Sequence, residues 1–328
     1  MQPFTYVAIT NEGQAINTIA ANQSAKFLAG GTNLLDDMKL GVENPPQLID
    51  ITGLPLDKVE KIAGSGVRIG AMVRNSDLAY HELIKTNYPV LSQALLSGAS
   101  AQLRNMATTG GNLLQRTRCY YFRDTHSACN KREPGSGCSA IDGFNRIHAL
   151  LGTSEKCIAT HPSDMCVALA ALDAVIRVKG PKGERTIPIN EFYVPYGEDP
   201  AKENVLAHDE LITAVDLPAI PYAKRSLYHK TRDRASYEFA LASAAIVLDL
   251  DGKTIRAARI ALGGVASKPW RSVEAEQSLA GKPATPDAFA AAASAAMANA
   301  KPQKFNAFKV ELAKRTLVQA LQDTVALA

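Results

Sequence analysis

The sequence has little that would indicate a membrane, a nucleic acid or secretion. Its 328 residues carry a formal net charge of only +4, which is too small for this length to indicate a nucleic-acid partner. The longest apolar run, residues 239–248, is far shorter than the roughly 20 residues that span a bilayer. Residues 1–6 show neither the basic nor the apolar region of a signal peptide. We therefore expect a chain made in the cytoplasm, long enough for two or three domains.

The common catalytic and nucleotide-binding motifs are missing too. We find no GxGxxG, no GxxxxGK[ST], no GxSxG elbow and no Ser-His-Asp series, so the chain matches neither a Rossmann nor a P-loop pattern. None of its five cysteines forms a CxxC pair, which excludes the usual zinc ribbon and ferredoxin spacings. No side chain stands out as a nucleophile or general base.

Two glycine turns are present instead. Gly30-Gly31-Thr32-Asn33 follows the predicted strand 26–29 and precedes a predicted helix, and residues 107–112 read Ala-Thr-Thr-Gly-Gly-Asn. Glycine lets the backbone approach a phosphate, and free N–H groups at a helix start favour anions. One such turn is more often an ordinary tight turn. Two of them predict a phosphorylated cofactor, because a dinucleotide diphosphate needs donors from more than one side.

Three cysteines lie in a stretch without helical or strand periodicity, residues 116–156, and a fourth follows it directly. Nine, eight and 18 residues separate Cys119, Cys129, Cys138 and Cys157. In a reducing compartment such a group indicates metal binding, and four thiolates suit either zinc or an iron–sulfur cluster. Seven Lys or Arg against four Asp or Glu between residues 116 and 157 would offset an anionic cluster, or form a solvated face.

The remaining cysteine and three histidines near this stretch are weaker candidates. Cys166 lies in an apolar helical run and is expected to pack as a small hydrophobe. His126, His148 and His161 are more often structural or surface residues than ligands. Asp164 is either a helix N-terminal charge or an acceptor for a ribose or ring N–H, and Lys230 is either an exposed strand charge or a cofactor contact.

Hydrophobic periodicity predicts an α+β chain. Residues 1–60 indicate a small βαβ unit, and residues 59–73 indicate paired strands. Helices are expected at 76–84, 89–97 and 164–172, and further strands at 174–178, 185–189 and 210–218. Three strands, 226–231, 240–249 and 254–262, are followed by Ala-rich helices over residues 270–328. Pro218 and Pro221 suggest a boundary near residue 220.

The two glycine turns together resemble the FAD-binding medium subunits of the xanthine dehydrogenase and carbon monoxide dehydrogenase family of molybdenum hydroxylases. The resemblance extends through Ser163-Asp164, residues 209–218 and Leu262-Gly263-Gly264-Val265-Ala266, and so covers essentially the whole chain. The cysteine stretch is similar to that of the FAD subunit of bacterial periplasmic aldehyde oxidoreductases, a subtype with an additional [4Fe-4S] cluster.

This resemblance implies a fold and a set of binding residues. The fold would be a two-part FAD-binding domain of the PCMH (vanillyl-alcohol-oxidase-like) type over residues 1–220, with subdomains 1–58 and 59–220 and a cluster-binding insertion at 116–158. A C-terminal domain of the CO dehydrogenase flavoprotein type, a three-stranded sheet plus helices, would span 221–328. FAD would contact Lys26, Phe27, Leu28, Ala29, Gly30, Gly31, Thr32, Asn33, Leu34, Thr108, Gly111, Asn112, Asp164, Ile212 and Lys230. The [4Fe-4S] ligands would be Cys119, Cys129, Cys138 and Cys157.

The implied function is electron transfer within an aldehyde oxidoreductase. A large subunit with the molybdenum cofactor would oxidise the aldehyde, and a small subunit with two [2Fe-2S] clusters would deliver electrons to FAD here, for an external acceptor. Two alternatives remain: a medium subunit acting on purines or aromatic CoA thioesters, and a non-catalytic zinc-stabilised nucleotide-binding module. The resemblance also implies a periplasmic complex, co-exported with a signal-bearing partner, the alternative being the cytoplasm.

Overall fold

The computed structural model describes residues 1–197 and 199–327, and within them it has an α+β fold with three sheets, as predicted. The first sheet contains three strands, the second five and the third four. The strands are β1 Thr5–Ala8, β2 Lys26–Leu28, β3 Gln47–Asp50, β4 Val59–Lys61, β5 Val67–Gly70, β6 Val175–Gly180, β7 Gly183–Pro188, β8 Leu211–Leu217, β9 Ser226–Thr231, β10 Ala242–Asp251, β11 Thr254–Gly263 and β12 Trp270–Arg271.

The helices in the described part of the chain are mostly short, and the longest lies at the C-terminus. They are α1 Glu12–Ala20, α2 Leu34–Lys39, α3 Asn75–Tyr80, α4 Glu82–Asn87, α5 Pro89–Ser97, α6 Ala101–Arg104, α7 Thr109–Leu113, α8 Tyr120–Arg123, α9 Ser139–Asp142, α10 Asp164–Ala171, α11 Ile189–Phe192, α12 Val273–Leu279, α13 Pro286–Ala296 and α14 Phe308–Val325; a 3₁₀ turn covers Ala63–Ser65. No described helix combines the length and apolar character needed to cross a lipid bilayer.

The N-terminal sheet is the predicted βαβ unit. Its strand order is β1-β3-β2, and both pairings are parallel. Helix α1 buries Ala15, Ile16 and Ile19, which occupy one helical face because they are spaced by one, three and four residues. Their packing with Ile49 of the central strand forms a small core. Strand β2 therefore ends at a fixed position, and the first glycine turn follows it.

The second sheet is antiparallel, in the order β4-β5-β8-β6-β7. It forms the largest core together with α5 and α10, which are buried along most of their length. Ser163 caps α10 by accepting a hydrogen bond from the N–H of Cys166 at 3.1 Å, which fixes the start of the helix at Asp164. That carboxylate is thereby placed at the edge of the core.

The C-terminal sheet has the order β12-β11-β10-β9 and is covered by α12, α13 and α14. The three predicted strands are confirmed, and Ser226–Thr231 matches to the residue. The two-residue strand Trp270–Arg271, which pairs with β11, was not predicted because two residues are too short to show an alternating pattern. It adds a fourth, edge strand to the predicted three.

The aperiodic stretch 116–156 is a compact loop region tied to the C-terminal part of the chain. It contains two single-turn helices and an isolated bridge between Cys129 and Cys138. Lys309 of α14 is fully buried and donates to three carbonyl oxygens: Ile147 at 3.1 Å, His148 at 2.9 Å and Gly264 at 2.6 Å. All three N–H donors of the ammonium group are therefore satisfied by backbone, and the long helix holds the end of this stretch against β11.

Candidate functional site

A cavity of about 1250 Å³ lies where the three sheets meet. This exceeds the roughly 300–1,000 Å³ of pockets for drug-sized ligands and suits a dinucleotide. It is lined by fourteen of the fifteen residues expected to contact FAD: Lys26, Phe27, Ala29, Gly30, Gly31, Thr32, Asn33, Leu34, Thr108, Gly111, Asn112, Asp164, Ile212 and Lys230. Leu28 is not among the lining residues.

The two glycine turns are in direct contact. A Cβ on Gly30 would overlap the carbonyl oxygen of Met106 and lie 3.1 Å from the Cα of Ala107, so only glycine fits there. Gly31 has a φ of +71°, a left-handed conformation that glycine adopts without strain. The second turn begins immediately after this contact, so the two turns adjoin each other at the cavity.

Hydrogen bonds brace the second turn internally and connect it to the second sheet. Thr108 caps α7 by accepting from the N–H of Gly111 at 3.2 Å. The N–H of Gly110 donates to the carbonyl of Ala71 at 2.8 Å, and the N–H of Ala71 donates to that of Thr213 in β8 at 2.9 Å. Strand β8 also carries Ile212, which is 5% exposed. The second sheet therefore supports this wall of the cavity through its backbone.

The side chains of Asn33 and Asn112 bind groups of the protein. The amide nitrogen of Asn33 donates to Asp37 at 2.9 Å, and its oxygen accepts from the N–H of Arg116 at 2.7 Å. The amide oxygen of Asn112 accepts from the hydroxyl of Ser163 at 2.6 Å. Both residues therefore join segments that are distant in sequence while their backbones line the cavity.

Asp164 and Lys230 form a buried ion pair. The Lys230 ammonium lies 2.8 Å from Oδ2 of Asp164, and the side chains are only 3% and 8% exposed. Tyr228, two residues earlier on β9, donates to Oδ1 at 2.6 Å, and Lys230 also donates to the carbonyl of Ser97 at 3.0 Å. The interpretation of Lys230 as an exposed strand charge is wrong. A paired, hydrogen-bonded carboxylate tolerates this burial, and it is held in one orientation at the cavity wall.

Four buried polar atoms at the cavity lack a partner. In the described part of the chain, seven buried side-chain N or O atoms have none, and four of these belong to residues that line the cavity: Asn75 Oδ1, His161 Nε2, Glu238 Oε2 and Ser243 Oγ. Buried polar groups are normally satisfied, so these atoms fit a bound polar ligand. No sequence motif indicated these atoms, because they lie in four separate segments.

Cations also line the cavity, which suits an anionic diphosphate. Besides Lys26 and Lys230, they include Arg116 and Arg118. Burial, with the neighbouring Arg123 adding repulsion, lowers the pKa of Arg118. Its guanidinium lies over the ring of Phe239, 5.2 Å from the centroid. The start of the aperiodic stretch is therefore part of the cavity wall, which its sequence did not indicate.

The four clustered cysteines converge in one apolar cluster with Phe122, Ile158 and Tyr196. Cys119, Cys129 and Cys157 are buried, Cys138 is half-buried, and all are free thiols. Burial raises the pKa of Cys119 to about 12 and that of Cys157 to about 11. Burial therefore keeps these two thiols in their neutral form.

The convergence of the four cysteines does not by itself show a metal site. Among the described residues, no group of three or more His, Cys, Asp or Glu side chains is arranged to hold a metal ion. The prediction that these cysteines hold a [4Fe-4S] cluster therefore stays a prediction, and the zinc alternative gains no support.

Cys166 and the three histidines occupy separate environments. Cys166 is fully buried in α10, with its sulfur 3.1 Å from the hydroxyl of Tyr193, in agreement with a packing role. His126 is exposed, and its side chain contacts Asp124. His148 is buried, with Nε2 3.1 Å from the sulfur of Cys119, a contact that sequence reasoning missed. His161 packs edge-on against Tyr193 at the cavity.

Two glycine turns in contact with each other, enclosed with residues of the C-terminal sheet around one cavity, define a subunit of the class that binds a dinucleotide. The profile described as "FAD binding domain in molybdopterin dehydrogenase" matches residues 2–220, and that of the "CO dehydrogenase flavoprotein C-terminal domain" matches residues 226–324. The chain belongs to the FAD-binding medium subunits of the molybdenum hydroxylase family, and is a subunit of an oxidoreductase.

Individual relatives agree with this family. The chain is 52% identical over 330 residues to the aldehyde oxidoreductase FAD-binding subunit PaoB of Escherichia coli strain K12, with 100% of both chains covered. It is 29% identical to the glyceraldehyde dehydrogenase medium chain of Sulfolobus acidocaldarius, over 85% of this chain and 82% of the relative. Among solved structures, the carbon monoxide dehydrogenase of Hydrogenophaga pseudoflava superposes with a TM-score of 0.78 at 28% identity, over 99% of this chain and 98% of that chain.

Proposed function

We propose that this chain is the FAD- and [4Fe-4S]-containing electron-transfer subunit of a molybdenum-dependent aldehyde oxidoreductase. The observation that carries the proposal is the convergence of both glycine turns, Asp164, Ile212 and Lys230 on one cavity. Full-length identity of 52% to an aldehyde oxidoreductase subunit favours an aldehyde over a purine or a CoA thioester as the substrate of the complex.

In this proposal the chain binds and orients the flavin. Bound FAD would supply the chemistry of accepting electrons from partner [2Fe-2S] clusters and releasing them to an external acceptor. The backbones of Gly30, Gly31 and Gly111 would approach the diphosphate, and Lys26 and Arg116 would offset its charge. Asp164, fixed by Tyr228 and Lys230, would accept a hydrogen bond from the cofactor. The protein's contribution is thus positioning and electrostatics rather than acid–base catalysis.

The cysteine cluster would hold a [4Fe-4S] cluster. Three buried thiols and one half-buried thiol in an apolar environment fit a group that is bound by four thiolates and shielded from water. The neighbouring cation Lys131 would offset the negative charge of the thiolate-ligated cluster. Such a cluster would brace the aperiodic stretch, and its position beside the cavity also allows electron exchange with the flavin.

Spectroscopy and metal analysis of the purified chain test this proposal. Anaerobic purification should give a brown, oxygen-sensitive protein with a flavin spectrum and with iron and acid-labile sulfide in equal amounts, four of each per chain. Co-expression with the neighbouring reading frames should yield a complex with a [2Fe-2S] protein and a molybdenum-binding subunit that oxidises aldehydes. A colourless protein with one zinc per chain would contradict it.

We also propose that the complex is periplasmic, exported in folded form with a signal-bearing partner. The support is the similarity of the cysteine stretch to that of periplasmic aldehyde oxidoreductases. Cell fractionation with and without the partner's signal checks this: the chain should move to the periplasm only when the signal is present. A chain that stays in the cytoplasm in both cases would contradict the export proposal alone.

A further inference from the structure

A chain of alternating charges connects the cysteine cluster to the cavity. It begins at Lys131, whose side chain is 1% exposed. Its ammonium group lies 4.0 Å from the ring centroid of Tyr196, which packs against the cysteines. Lys131 also follows Cys129 by two residues, and it donates to the carbonyl of Pro200 at 2.8 Å. This cation therefore lies beside the cysteine cluster.

Glu203 is the next member, and it is shared between two cations. One oxygen lies 2.9 Å from the Lys131 ammonium, and the other accepts from Nε of Arg116 at 3.1 Å. Burial alone would raise the pKa of Glu203, but Lys131 and Arg116 outweigh burial and lower it. Glu203 is therefore an anion whose two oxygens face two different sites.

Arg116 connects Glu203 to the first glycine turn through two sets of contacts. Its guanidinium pairs with Glu43, and the other oxygen of Glu43 lies 3.0 Å from the ammonium of Lys26. Its backbone N–H donates to the side chain of Asn33 at 2.7 Å. Lys26 and Asn33 begin and end the segment that carries this turn, and both line the cavity. The charge sequence is therefore Lys131, Glu203, Arg116, Glu43, Lys26.

We infer that Glu203 is a positioning residue that couples occupancy of the cysteine cluster to flavin binding; this inference rests on the proposed function. Loading of the cluster exchanges thiol protons for metal and orders the loop that carries Lys131. Glu203 transmits this order to Arg116. When Lys131 is displaced, Arg116 alone holds the Glu203 carboxylate, which then has no second anchor. Coupling of this kind is reciprocal, and it is measured as a ratio of affinities.

The test compares FAD dissociation constants of iron-loaded and iron-free full-length chain by flavin fluorescence. We expect wild type to bind FAD about tenfold more tightly with iron, within the 5–150-fold range typical of coupled sites. Glu203→Gln should bring that ratio close to one. Lys131→Met, which removes the cation at the cysteine end and leaves Glu203 and Arg116 in place, should do the same. Circular dichroism establishes that each variant is folded.

The matched control is Asp216→Asn. Asp216 also holds two arginines, Arg68 at 2.7 Å and Arg177 at 3.5 Å, but it lies in the second sheet and does not line the cavity. Its variant should lose stability and keep the wild-type ratio, which separates coupling from a general structural effect. Equal FAD affinity of loaded and iron-free wild type, or an unchanged ratio in both test variants, would overturn the inference alone. Wild type that binds no FAD would overturn the proposed function as well.

Discussion

The carbonyl oxygen of Met106 occupies the place that the Cβ of any other residue at position 30 would need. Gly30 therefore allows the first glycine turn to pack against the second. Gly30→Ala should push the two turns apart, at a cost of about 1–3 kcal/mol typical of overpacking, and should abolish FAD binding. Urea unfolding and flavin content measure the two effects. Gly197→Ala is the control, because a Cβ there meets no atom within 4 Å. A Gly30 variant with full flavin content would show that the contact is not needed.

Loss of the Asp164–Lys230 ion pair should destabilise the folded chain strongly. Lys230→Met leaves the buried Asp164 carboxylate without its cation, and removal of one partner of a buried ion pair costs about 3–5 kcal/mol. We expect a matching loss in the free energy of unfolding and a loss of FAD. Arg315→Met breaks a pair with Glu311 in which the two side chains are 78% and 62% exposed, and should leave stability nearly unchanged because solvent screens an exposed pair. Equal effects of both variants would contradict a buried, functional pair.

Tyr228→Phe isolates the second contact of the same carboxylate. It removes the 2.6 Å hydrogen bond to Asp164 while keeping the ring, so we expect about 1–3 kcal/mol of destabilisation from the unsatisfied oxygen. Asp164 should then reorient, which should shift the reduction potential of bound FAD. Spectroelectrochemical titration measures this potential. A potential equal to that of wild type would mean that Tyr228 contributes only to packing.

Acid sensitivity should arise in part from His161. Burial lowers its pKa to about 3, whereas an unfolded histidine titrates near 6.5. Between these values the unfolded chain binds the extra proton, so stability falls as the pH drops from 6.5 toward 3 and is fully present above 6.5. We expect a loss of about 2 kcal/mol between pH 6.5 and 4.5. His161→Asn, which keeps an acceptor for the Ser163 N–H, should show a flatter pH profile in urea titrations; an identical profile would exclude this histidine as the source.

Cys138→Ser should separate the two proposed cofactors. We expect the variant to lose its iron, because one of four thiolate ligands is missing, and to keep flavin when FAD is in excess. Iron analysis and flavin absorbance of the same sample are the measurements. Cys166→Ser is the control, since Cys166 packs away from the cluster, and it should keep its iron. Retention of iron with loss of FAD in the Cys138 variant would show that the two sites have been assigned the wrong way round.

Much of this architecture was predictable, because local signals agreed with tertiary packing. Pro89 starts a helix that ends at Ser97 as predicted, and Ser163 caps α10. The predicted helix 76–84 is two helices, interrupted at His81. This residue adopts an extended backbone (ψ 132°) and caps the second helix through its side chain. Periodicity could not show this break, because both halves bury residues on the same core.

The resemblance to the flavoprotein family predicted the full set of candidate site residues, whereas the residue patterns alone predicted only part of it. The glycine turns and cysteines were visible as motifs, whereas the burial of Lys230 and the roles of Tyr228, Glu203 and Lys131 depend on partners at least 64 residues away. No local pattern encodes a pairing across such distances. The division near residue 220 stays a prediction, since Tyr228 and Ala245 from beyond it pack in the core of the second sheet.

The buried lysine at position 309 restricts how this subunit can have evolved. Two of its three acceptors, the carbonyls of Ile147 and His148, belong to the cysteine-bearing stretch. A lineage that lost the stretch would have kept a buried cation in the C-terminal core without two of its carbonyl acceptors. A lineage that gained the stretch needed a hydrogen-bond donor at this position. We therefore expect the stretch and the lysine to have been gained or lost together, with an apolar residue at the equivalent of position 309 wherever the four cysteines are missing.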